Sequence, residues 1–469
     1  MQSRMRFVGP AYFFDNKSLS YQESINYYLE IMGEEGRETM ALRGTPGLVS
    51  WNSTLSGSVR GMETFFGIPY AVVGTTFYKF DSAGNATSLG AISGVWRAYL
   101  NYNNGNQVII SNQPVAYIDG YFVFPGNVAI AYIYDISAGT LVQITDADFS
   151  SSDDGTFFIS AIDDGTSYDA LDFASPESSP DGVLAIVADH RQIIIFGSVT
   201  TEFWINTGNV DFPFERQRGA ILQRGIEAPG AVVQADNRVI FLGHDRVVYS
   251  LEGYSDTPLS PTPVTEAIEN YGDVSDAEAF YHVYRGHKFY TLNFPSAGET
   301  WVCDLTLPPA MAWHKRRSWG KTRWRARSYC RAYNKHLIGD YESGTIWYMD
   351  GSVYKEGTDP LEAIRTGHFL HADHRQVTVK SFELVMKTGI GLISGQGENP
   401  LIGLSWSKDN GESFTSERWK PMGRMGAATT RVLWRNGPTS KLALIPRVRI
   451  TDPVQRDIVG AVGNVKVGR

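Results

Sequence analysis

Short apolar runs separated by polar turn residues recur along most of the chain. Three such runs lie at 183–187, 192–196 and 239–242, and each is bounded by Gly, Pro, Asp or Asn. Runs of this length and punctuation predict β-strands joined by turns, because helices need longer periodic stretches. Asp119-Gly120, flanked by alternating apolar residues, is a hairpin signal of the same kind. The pattern therefore predicts an all-β fold.

The strand groups recur roughly every 40–50 residues through most of the chain. Radial blades of about four strands produce such spacing, so we predict a β-propeller of six or seven irregular blades over residues 46–360. A stack of β-sandwiches is the structural alternative. The rhythm breaks near Asp359-Pro360, and residues 365–469 are predicted to form a C-terminal antiparallel β-sandwich-like domain. Residues 1–45 are interpreted as an extended N-terminal lead-in.

Composition is that of a folded protein, with 42% hydrophobic and 20% charged residues. No run approaches the roughly 18 apolar residues that a membrane span needs, so we expect no membrane insertion. The N-terminus has no apolar core of signal-peptide length, so we expect no export by the usual route. Cys303 and Cys330 are too few for a disulfide framework or a four-cysteine zinc site, and we expect two buried, reduced thiols.

Charge is distributed unevenly around a net value of −8. Between Arg97 and Arg191 there is no Lys or Arg, but there are thirteen Asp or Glu. Residues 305–339 hold nine basic residues and no acid, and residues 418–469 hold eleven basic residues against two acids. Such asymmetry indicates partners that respond to electrostatics. The acidic tract is interpreted either as solvated blade loops or as a channel lining along which DNA slides.

A basic, aromatic-rich segment at 314–327 is the strongest candidate for contact with nucleic acid. Its basic side chains are Lys315, Arg316, Arg317, Lys321, Arg323, Arg325 and Arg327. Lys and Arg neutralise phosphates, and Arg and Trp stack on bases. Arg and Trp also dominate the energetics of protein interfaces. The segment is therefore a candidate interface or DNA-facing basic patch, and its composition favours a protein partner.

Ser407, Asp409, Gly411 and Phe414 fit the Asp-box pattern. We predict a structural hairpin turn in which the Asp accepts turn N–H groups and the Gly takes a positive φ. A weaker copy lies at 151–158. Asp boxes occur in sialidases, but the arginine triad and the Tyr–Glu pair of those enzymes find no counterpart in the sequence.

Three histidines, His368, His371 and His374, lie within seven residues. On a strand the period of two puts the first and last on one face and the middle one on the other. We therefore predict a solvated or interdomain surface there in preference to a zinc site. No catalytic residue, cofactor site or metal site is predicted.

Several longer segments carry a family resemblance. These include GSVTTEFW at 197–204, FPFER at 212–216, RGI at 224–226 and RVLW at 431–434. In their order and spacing the chain resembles the packaged-DNA stabilisation proteins, also called tail hub or nozzle proteins, of short-tailed bacteriophages (podoviruses). The resemblance covers most of the chain.

The resemblance implies a structural, non-enzymatic part of the virion tail, assembled in the host cytoplasm and without a cofactor. Such proteins form a ring, generally a homohexamer, below the portal and its adaptor ring. They extend the DNA ejection channel, retain packaged double-stranded DNA and anchor tail fibres, spikes or a needle. Charge segregation adds the hypothesis that a basic segment, 305–339 or 418–469, meets the acidic loops of a neighbour or the adaptor. The alternatives are a glycan-binding receptor tail protein and, with less support, a sialidase-like glycoside hydrolase.

Overall fold

A computed structural model describes residues 3–14, 16–33, 38–103, 105–144, 155–169, 171–176, 181–372 and 375–468. This described part is almost entirely β-structure. Its helices are the α-helices Thr262–Glu269 and Pro309–Ala312 and the 3-10 turn Pro229–Ala231. None of the described helices is long and apolar enough to cross a membrane.

Seven four-stranded antiparallel units form a β-propeller in the described residues. From the axis outward, blade 1 consists of Val59–Phe65, Ile68–Val73, Thr76–Phe80 and Ala86–Ala91, and blade 2 consists of Tyr99–Tyr102, Gln107–Ser111, Ala131–Asp135 and Thr140–Ile144. Blade 3 consists of Ala116–Ile118, Tyr121–Pro125, Phe157–Ile159 and Phe173–Ala174, and blade 4 consists of Val183–Asp189, Gln192–Gly197, Thr201–Asn206 and Phe214–Leu222. Blade 5 consists of Val233–Ala235, Arg238–Leu242, Val248–Glu252 and Ser255–Pro258. Blade 6 consists of Glu278–Tyr284, His287–Phe294, Glu299–Asp304 and Trp313–Lys315. Blade 7 consists of Ala326–Ala332, Lys335–Asp340, Ile346–Asp350 and Gly47–Asn52. The predicted propeller is confirmed, with seven blades in this part of the chain.

Apolar cores between neighbouring blades close the ring. Over the described residues there is one such core for each of the seven blade pairs. The core that joins the last blade to the first packs Cys330 and Leu337 against Val59 and Ala71. The outer strand of blade 7 comes from before blade 1 in sequence and pairs antiparallel with Ile346–Asp350. Closure therefore uses both backbone pairing and side-chain burial.

A β-sandwich, confirmed as the second domain, is built from two sheets. The first contains, in order, Val432–Arg435, Val377–Met386, Ile458–Val467, Met40–Gly44 and Tyr27–Ile31, with Ser3–Met5 and Thr439–Ser440 paired at its margins. The second contains, in order, Ser24–Ile25, Ala363–Thr366, Ile445–Ile450, Leu401–Ser407 and Arg418–Pro421. Smaller pairings are Tyr12–Phe13 with Tyr21–Gln22, and Lys355–Glu356 with Asp359–Pro360. Phe382, Trp406 and Trp434 lie in the core between the sheets.

The two domains share one sheet. Strand Ser24–Ile25 pairs in parallel with the outer strand of blade 6 and antiparallel with Ala363–Thr366 of the sandwich. Nine strands therefore run without a break from blade 6 into the sandwich. The continuous backbone pairing makes the junction a structured part of the fold rather than a linker.

The N-terminal residues differ from the extended lead-in interpreted for 1–45. Ser3–Met5, Tyr27–Ile31 and Met40–Gly44 are strands of the first sandwich sheet, and Ser24–Ile25 bridges the domains. The physical reason for this correction is that the strands of the C-terminal segment leave sheet edges that the N-terminal strands pair with. Such non-local pairing has no signature in the local pattern of a short strand.

Candidate functional site

The basic segment between blades 6 and 7 is largely neutralised within its own chain. Five of its seven basic residues form ion pairs, of which Arg325 does so in a buried cluster and the other four each with a nearby carboxylate. These four pairs are Lys315 with Glu299 at 3.1 Å, Arg317 with Glu362 at 2.8 Å, Lys321 with Glu342, and Arg327 with Glu278 at 2.7 Å. Arg327 engages Glu278 through both Nε and Nη2. These cations are structural partners of nearby carboxylates.

The other three arginines of the segment are buried. Arg316 stacks 3.4 Å from the ring centroid of Trp324, and Arg323 stacks 3.6 Å from that of Tyr341. Burial lowers the pKa of the Arg316 guanidinium to about 9. These three arginines are therefore not available to the interface or DNA-facing basic patch predicted from the sequence. The connection between blades folds inward, so its cations fill the space between them.

Arg325 is the centre of a buried charge cluster. Its guanidinium lies 3.1 Å from Glu356, 2.9 Å from Asp359 and 3.7 Å from Asp340. The side chain is only 7% exposed. Removing one member of such a cluster leaves buried charge without compensation, which is strongly destabilising. This cluster accordingly supports the fold.

The propeller axis is a polar channel of about 730 Å³ lined by the inner strands of all seven blades. Those strands have up to seven residues and so span about 23 Å. Even along the shortest inner strands, three residues or about 10 Å long, a cylinder about 12 Å wide, the width of the major groove of B-DNA alone, would enclose about 1,100 Å³, more than this channel holds. Duplex DNA cannot pass along this axis.

Glu63 is the acid among the residues that line the channel. Its side chain is exposed to the lumen, but the channel walls surround it and limit its hydration, which raises the pKa of its carboxyl to about 7. The backbone N–H of Thr64 donates a hydrogen bond to this carboxyl, which by itself lowers the pKa of Glu63. Cys330 also lines the channel, and burial raises the pKa of its thiol, which keeps it protonated and unreactive.

Two surfaces of opposite charge lie on different domains. The first, here the acidic sector, contains Asp119, Asp163, Asp169 and Asp172 on blade 3 and its loops. The second, here the basic edge, contains Lys380, Arg424 and Arg435, which are exposed on the sandwich and have no ion-pair partner within 4 Å among the described residues.

The position of these surfaces follows from the blade order. The sandwich joins the ring at blade 6 through the shared sheet, and blade 3 lies three or four blades away in either direction. The acidic sector therefore lies across the ring from the blade that carries the sandwich. Ile162 and Leu171 are exposed beside the acidic sector, and Met425 is exposed beside the basic edge. Both surfaces thus combine charge with exposed apolar area.

The Asp-box residues form a compact turn. The Asp409 carboxylate accepts the Ser407 hydroxyl at 2.7 Å and the backbone N–H of Ser413 at 2.9 Å. Gly411 has φ 100°, and Phe414 packs under the guanidinium of Arg447 at 3.5 Å from its centroid. These hydrogen bonds also hold the pKa of Asp409 below its ordinary value. Residues 151–154 of the weaker copy lie outside the described residues.

The histidine segment lies beside the N-terminal hairpin. His368 Nε2 is 3.1 Å from the side-chain amide of Gln22, and burial, with the charges of Arg6 and Arg365, lowers its pKa. His374 and Asp373 lie outside the described residues. Among the described side chains there is no group of three His, Cys, Asp or Glu that could hold a metal ion.

Several structural residues were not predicted from the sequence. Asn26, at φ 56°, donates its side-chain amide to the carbonyls of Arg317 and Glu362. Arg365 and Arg456 are fully buried and donate to backbone carbonyls of residues such as Phe7 and Leu361. Isolated arginines with carbonyl partners leave no recognisable motif. The one usable signal is that Asn adopts a left-handed backbone conformation more often than most residues, which marks Asn26 as a candidate turn position.

Comparisons with known proteins add two family matches. A model described as Bacteriophage P22 Gp10, beta-propeller, matches residues 15–354. A model described as Bacteriophage P22 Gp10, beta-sandwich, matches residues 362–466. A search of the curated proteins found no significant match.

Solved structures show weaker similarity. BamB from Moraxella catarrhalis has a TM-score of 0.34 and 9% identity, over 75% of this chain and 98% of that chain. The N-terminal domain of Nup159 has a TM-score of 0.35 and 9% identity, over 74% of this chain and 99% of that chain. At these TM-scores the similarities carry no argument about function.

Proposed function

The chain belongs to the bacteriophage P22 Gp10 family of packaged-DNA stabilisation proteins, and from this premise we propose that it is a tail hub protein that retains packaged DNA in the phage head. The observation that carries the proposal is that both domain families match, in order, over residues 15–354 and 362–466. A virion structural component acts by shape and contact, so the proposed role needs no catalytic group.

The proposed assembly is a ring of copies, a homohexamer, below the portal adaptor. The narrow propeller axis supports this arrangement, because a DNA channel then has to lie between copies. A closed ring requires one surface of each copy to fit a different surface of its neighbour. The acidic sector and the basic edge lie on different domains and have complementary charge, so we propose that they meet across each subunit interface.

The shared sheet supports a mechanical role. Packaged DNA exerts outward force on whatever closes the head, and a subunit with a loose linker would deform under it. Backbone pairing across the junction, together with the hydrogen bonds of Asn26, holds the sandwich at a fixed position on blade 6. We propose that the exposed loops of the ring then serve as attachment points for tail fibres, spikes or a needle.

The test is a phage whose gene for this chain is interrupted by a suppressible stop codon. In a non-suppressing host, heads should fill with DNA and then release it, which nuclease protection and electron microscopy of purified heads would measure. Supplying the chain in trans should restore retention. Heads that keep their full DNA content without the chain would refute the proposal, and binding of the isolated chain to host glycans would favour the receptor-binding alternative.

A further inference from the structure

An imidazole flanked by two carboxylates lies where blade 6 meets the sandwich. His287 begins the second strand of blade 6, and its side chain is 8% exposed. Its Nδ1 is 2.6 Å from Oδ2 of Asp304 on the third strand of the same blade. Its Nε2 is 3.3 Å from Oε2 of Glu30, which belongs to the sandwich strand Tyr27–Ile31. One ring therefore contacts a carboxylate of each domain.

Only one protonation state of the ring satisfies both contacts. An ionised carboxylate accepts hydrogen bonds, and a neutral imidazole has one N–H and one lone pair, so one of the two carboxylates then faces a lone pair. The imidazolium donates from both nitrogens and carries a charge that attracts both carboxylates. Protonated His287 thus connects Asp304 to Glu30, whereas the neutral ring donates to one of them and repels the other.

Neighbouring side chains hold the two carboxylates in place. The Oδ1 of Asp304 accepts the hydroxyl of Thr306 at 2.7 Å and its backbone N–H at 3.1 Å. The Oε2 of Glu30 also accepts from Arg43, on the adjacent sandwich strand, at 3.0 Å. Asp304 is 1% exposed, while Glu30 is 28% exposed. The carboxylate of blade 6 is therefore the more enclosed of the two.

Two further titratable side chains face the ring and stay neutral. The ring of Tyr28, on the sandwich, packs edge-on with its centroid 5.0 Å from that of His287, and burial raises its pKa to about 12. His314 of blade 6 interacts electrostatically with His287, and burial, with the charge of Arg316, lowers the pKa of His314 to about 3. The charges next to the His287 ring are therefore those of the two carboxylates and of Arg43.

We propose that His287 links the propeller to the sandwich in a proton-dependent way, in which the imidazolium holds Asp304 and Glu30 together and the neutral ring releases Glu30. The contact with Asp304 is the shorter, so the neutral ring keeps its proton on Nδ1. Tyr27–Ile31 is the edge strand of its sheet, so it is the strand that loosens. The parallel pairing of the sandwich with blade 6 has one residue pair, Ile25 with Lys315, and side-chain contacts beside it add to the hold.

The direction of the pH dependence follows from the same contacts. Burial by itself lowers the pKa of His287, but the hydrogen bonds to Asp304 and Glu30 and their charges outweigh it and raise the pKa above its ordinary value of 6.5. A raised folded-state pKa gives a stabilisation that is complete below 6.5 and is lost as pH rises through the folded-state value. The link is therefore strong in mild acid and weak in alkali.

The first measurement is the NMR titration of the His287 ring in the full, unmodified chain. The chain has nine histidines, so isotope-labelled rings give a tractable spectrum, and the signal missing from His287→Gln identifies the ring. Its midpoint should lie above 6.5. Glu30→Gln keeps an acceptor but removes the charge of the sandwich, so it should move the same signal and lower its midpoint. A wild-type midpoint at or below 6.5, or one that Glu30→Gln leaves unchanged, would overturn the proposal.

The second measurement is hydrogen exchange by mass spectrometry, with wild type and His287→Gln compared at equal pH so that the intrinsic pH dependence of exchange cancels. At about pH 6, Tyr27–Ile31 should exchange about tenfold faster in the variant, and the two rates should converge above the measured midpoint. His190→Gln is the control, since His190 also contacts a carboxylate, Asp189 at 3.0 Å, but is 67% exposed and lies within blade 4. It should exchange like wild type. An effect of His287→Gln that is absent, equal at both pH values or equally large in blade 2 would overturn the proposal.

Discussion

The side-chain amide of Asn26 donates a hydrogen bond to the backbone carbonyl of Glu362 at 2.7 Å, although 336 residues separate them. The same amide donates to the carbonyl of Arg317 at 2.8 Å, and its Oδ1 accepts the backbone N–H of that residue at 3.2 Å. One side chain therefore joins the propeller connection to the first sandwich strand after the propeller. Its left-handed backbone conformation turns the chain between two strands that belong to different sheets.

Asn26→Ala should destabilise the folded chain by about 2–4 kcal/mol, because it leaves polar groups of the junction unpaired and puts Ala in a left-handed conformation. Asn436→Ala is the matched control, since Asn436 has φ 55° but is exposed on the sandwich. The control should be destabilised only by the cost of placing Ala in a left-handed backbone conformation, about 1 kcal/mol. Urea unfolding midpoints and the rate of proteolysis of the N-terminal segment measure the difference. Equal effects of the two substitutions would contradict a special role for the junction.

The sequence predicted the architecture better than the connections. Blades 1, 4, 5 and 6 are continuous runs of short strands and tight turns, so the local pattern predicts repeated four-stranded units, whereas blades 2 and 3 interleave along the chain. The strand Gly47–Asn52 is strand-like in sequence, but its partner is Ile346–Asp350, nearly 300 residues away. A local pattern does not identify such a partner. For the same reason the sequence did not reveal that Ser24–Ile25 pairs with both blade 6 and the sandwich.

For the candidate site, the sequence likewise did not reveal which charged side chains are buried or paired. Composition at 314–327 indicated a candidate interface or DNA-facing basic patch, a role that requires its arginines to be at the surface. Burial of Arg316 and Arg325 depends on Trp324 and Glu356, which blade packing brings to them. Sequence shows which charges exist, whereas only the fold shows which of them are already paired.

Arg325→Met should destabilise the chain by about 3–5 kcal/mol, because Glu356 and Asp340 lose their buried cation. Arg431→Met is the control, since Arg431 also pairs closely with a carboxylate, Glu383 at 2.6 Å, but its side chain is 60% exposed. An exposed pair contributes at most about 1 kcal/mol. Chemical unfolding of both variants measures the contrast. Similar, small losses would show that the cluster around Arg325 is not a structural centre.

Glu63 should make stability depend on pH between about 4.5, its ordinary pKa, and about 7, its value in the fold. A raised folded-state pKa means that the folded chain keeps a proton that the unfolded chain has released, so this contribution to stability falls as pH rises through the window. The Glu63→Gln variant should match the wild type near pH 4 and be more stable at pH 8. Unfolding midpoints across this range measure the difference, and Glu215→Gln, an exposed acid on blade 4, is the control. A constant offset between Glu63→Gln and the wild type would contradict the assignment.

Reversing the charge of the basic edge should prevent incorporation of the chain into tails but leave its folding unchanged. Lys380 and Arg435 lie on paired strands of the sandwich and are exposed, so the double variant Lys380→Glu, Arg435→Glu should unfold at the wild-type midpoint. If the basic edge meets the acidic sector of a neighbour, the variant should fail to enter tails when supplied to phage that lack the chain. Adding Asp169→Lys and Asp172→Lys should restore incorporation, because the complementary charges are then exchanged.

Arg218→Glu is the matched control for this experiment, since Arg218 is exposed on the outer strand of blade 4 and belongs to neither surface. It should assemble normally. The contact should also weaken with added salt, because exposed charges are screened over about 8 Å at physiological ionic strength. Normal incorporation of the Lys380, Arg435 variant would exclude this pairing of surfaces while leaving the DNA-retention role intact, since a ring can close through other contacts.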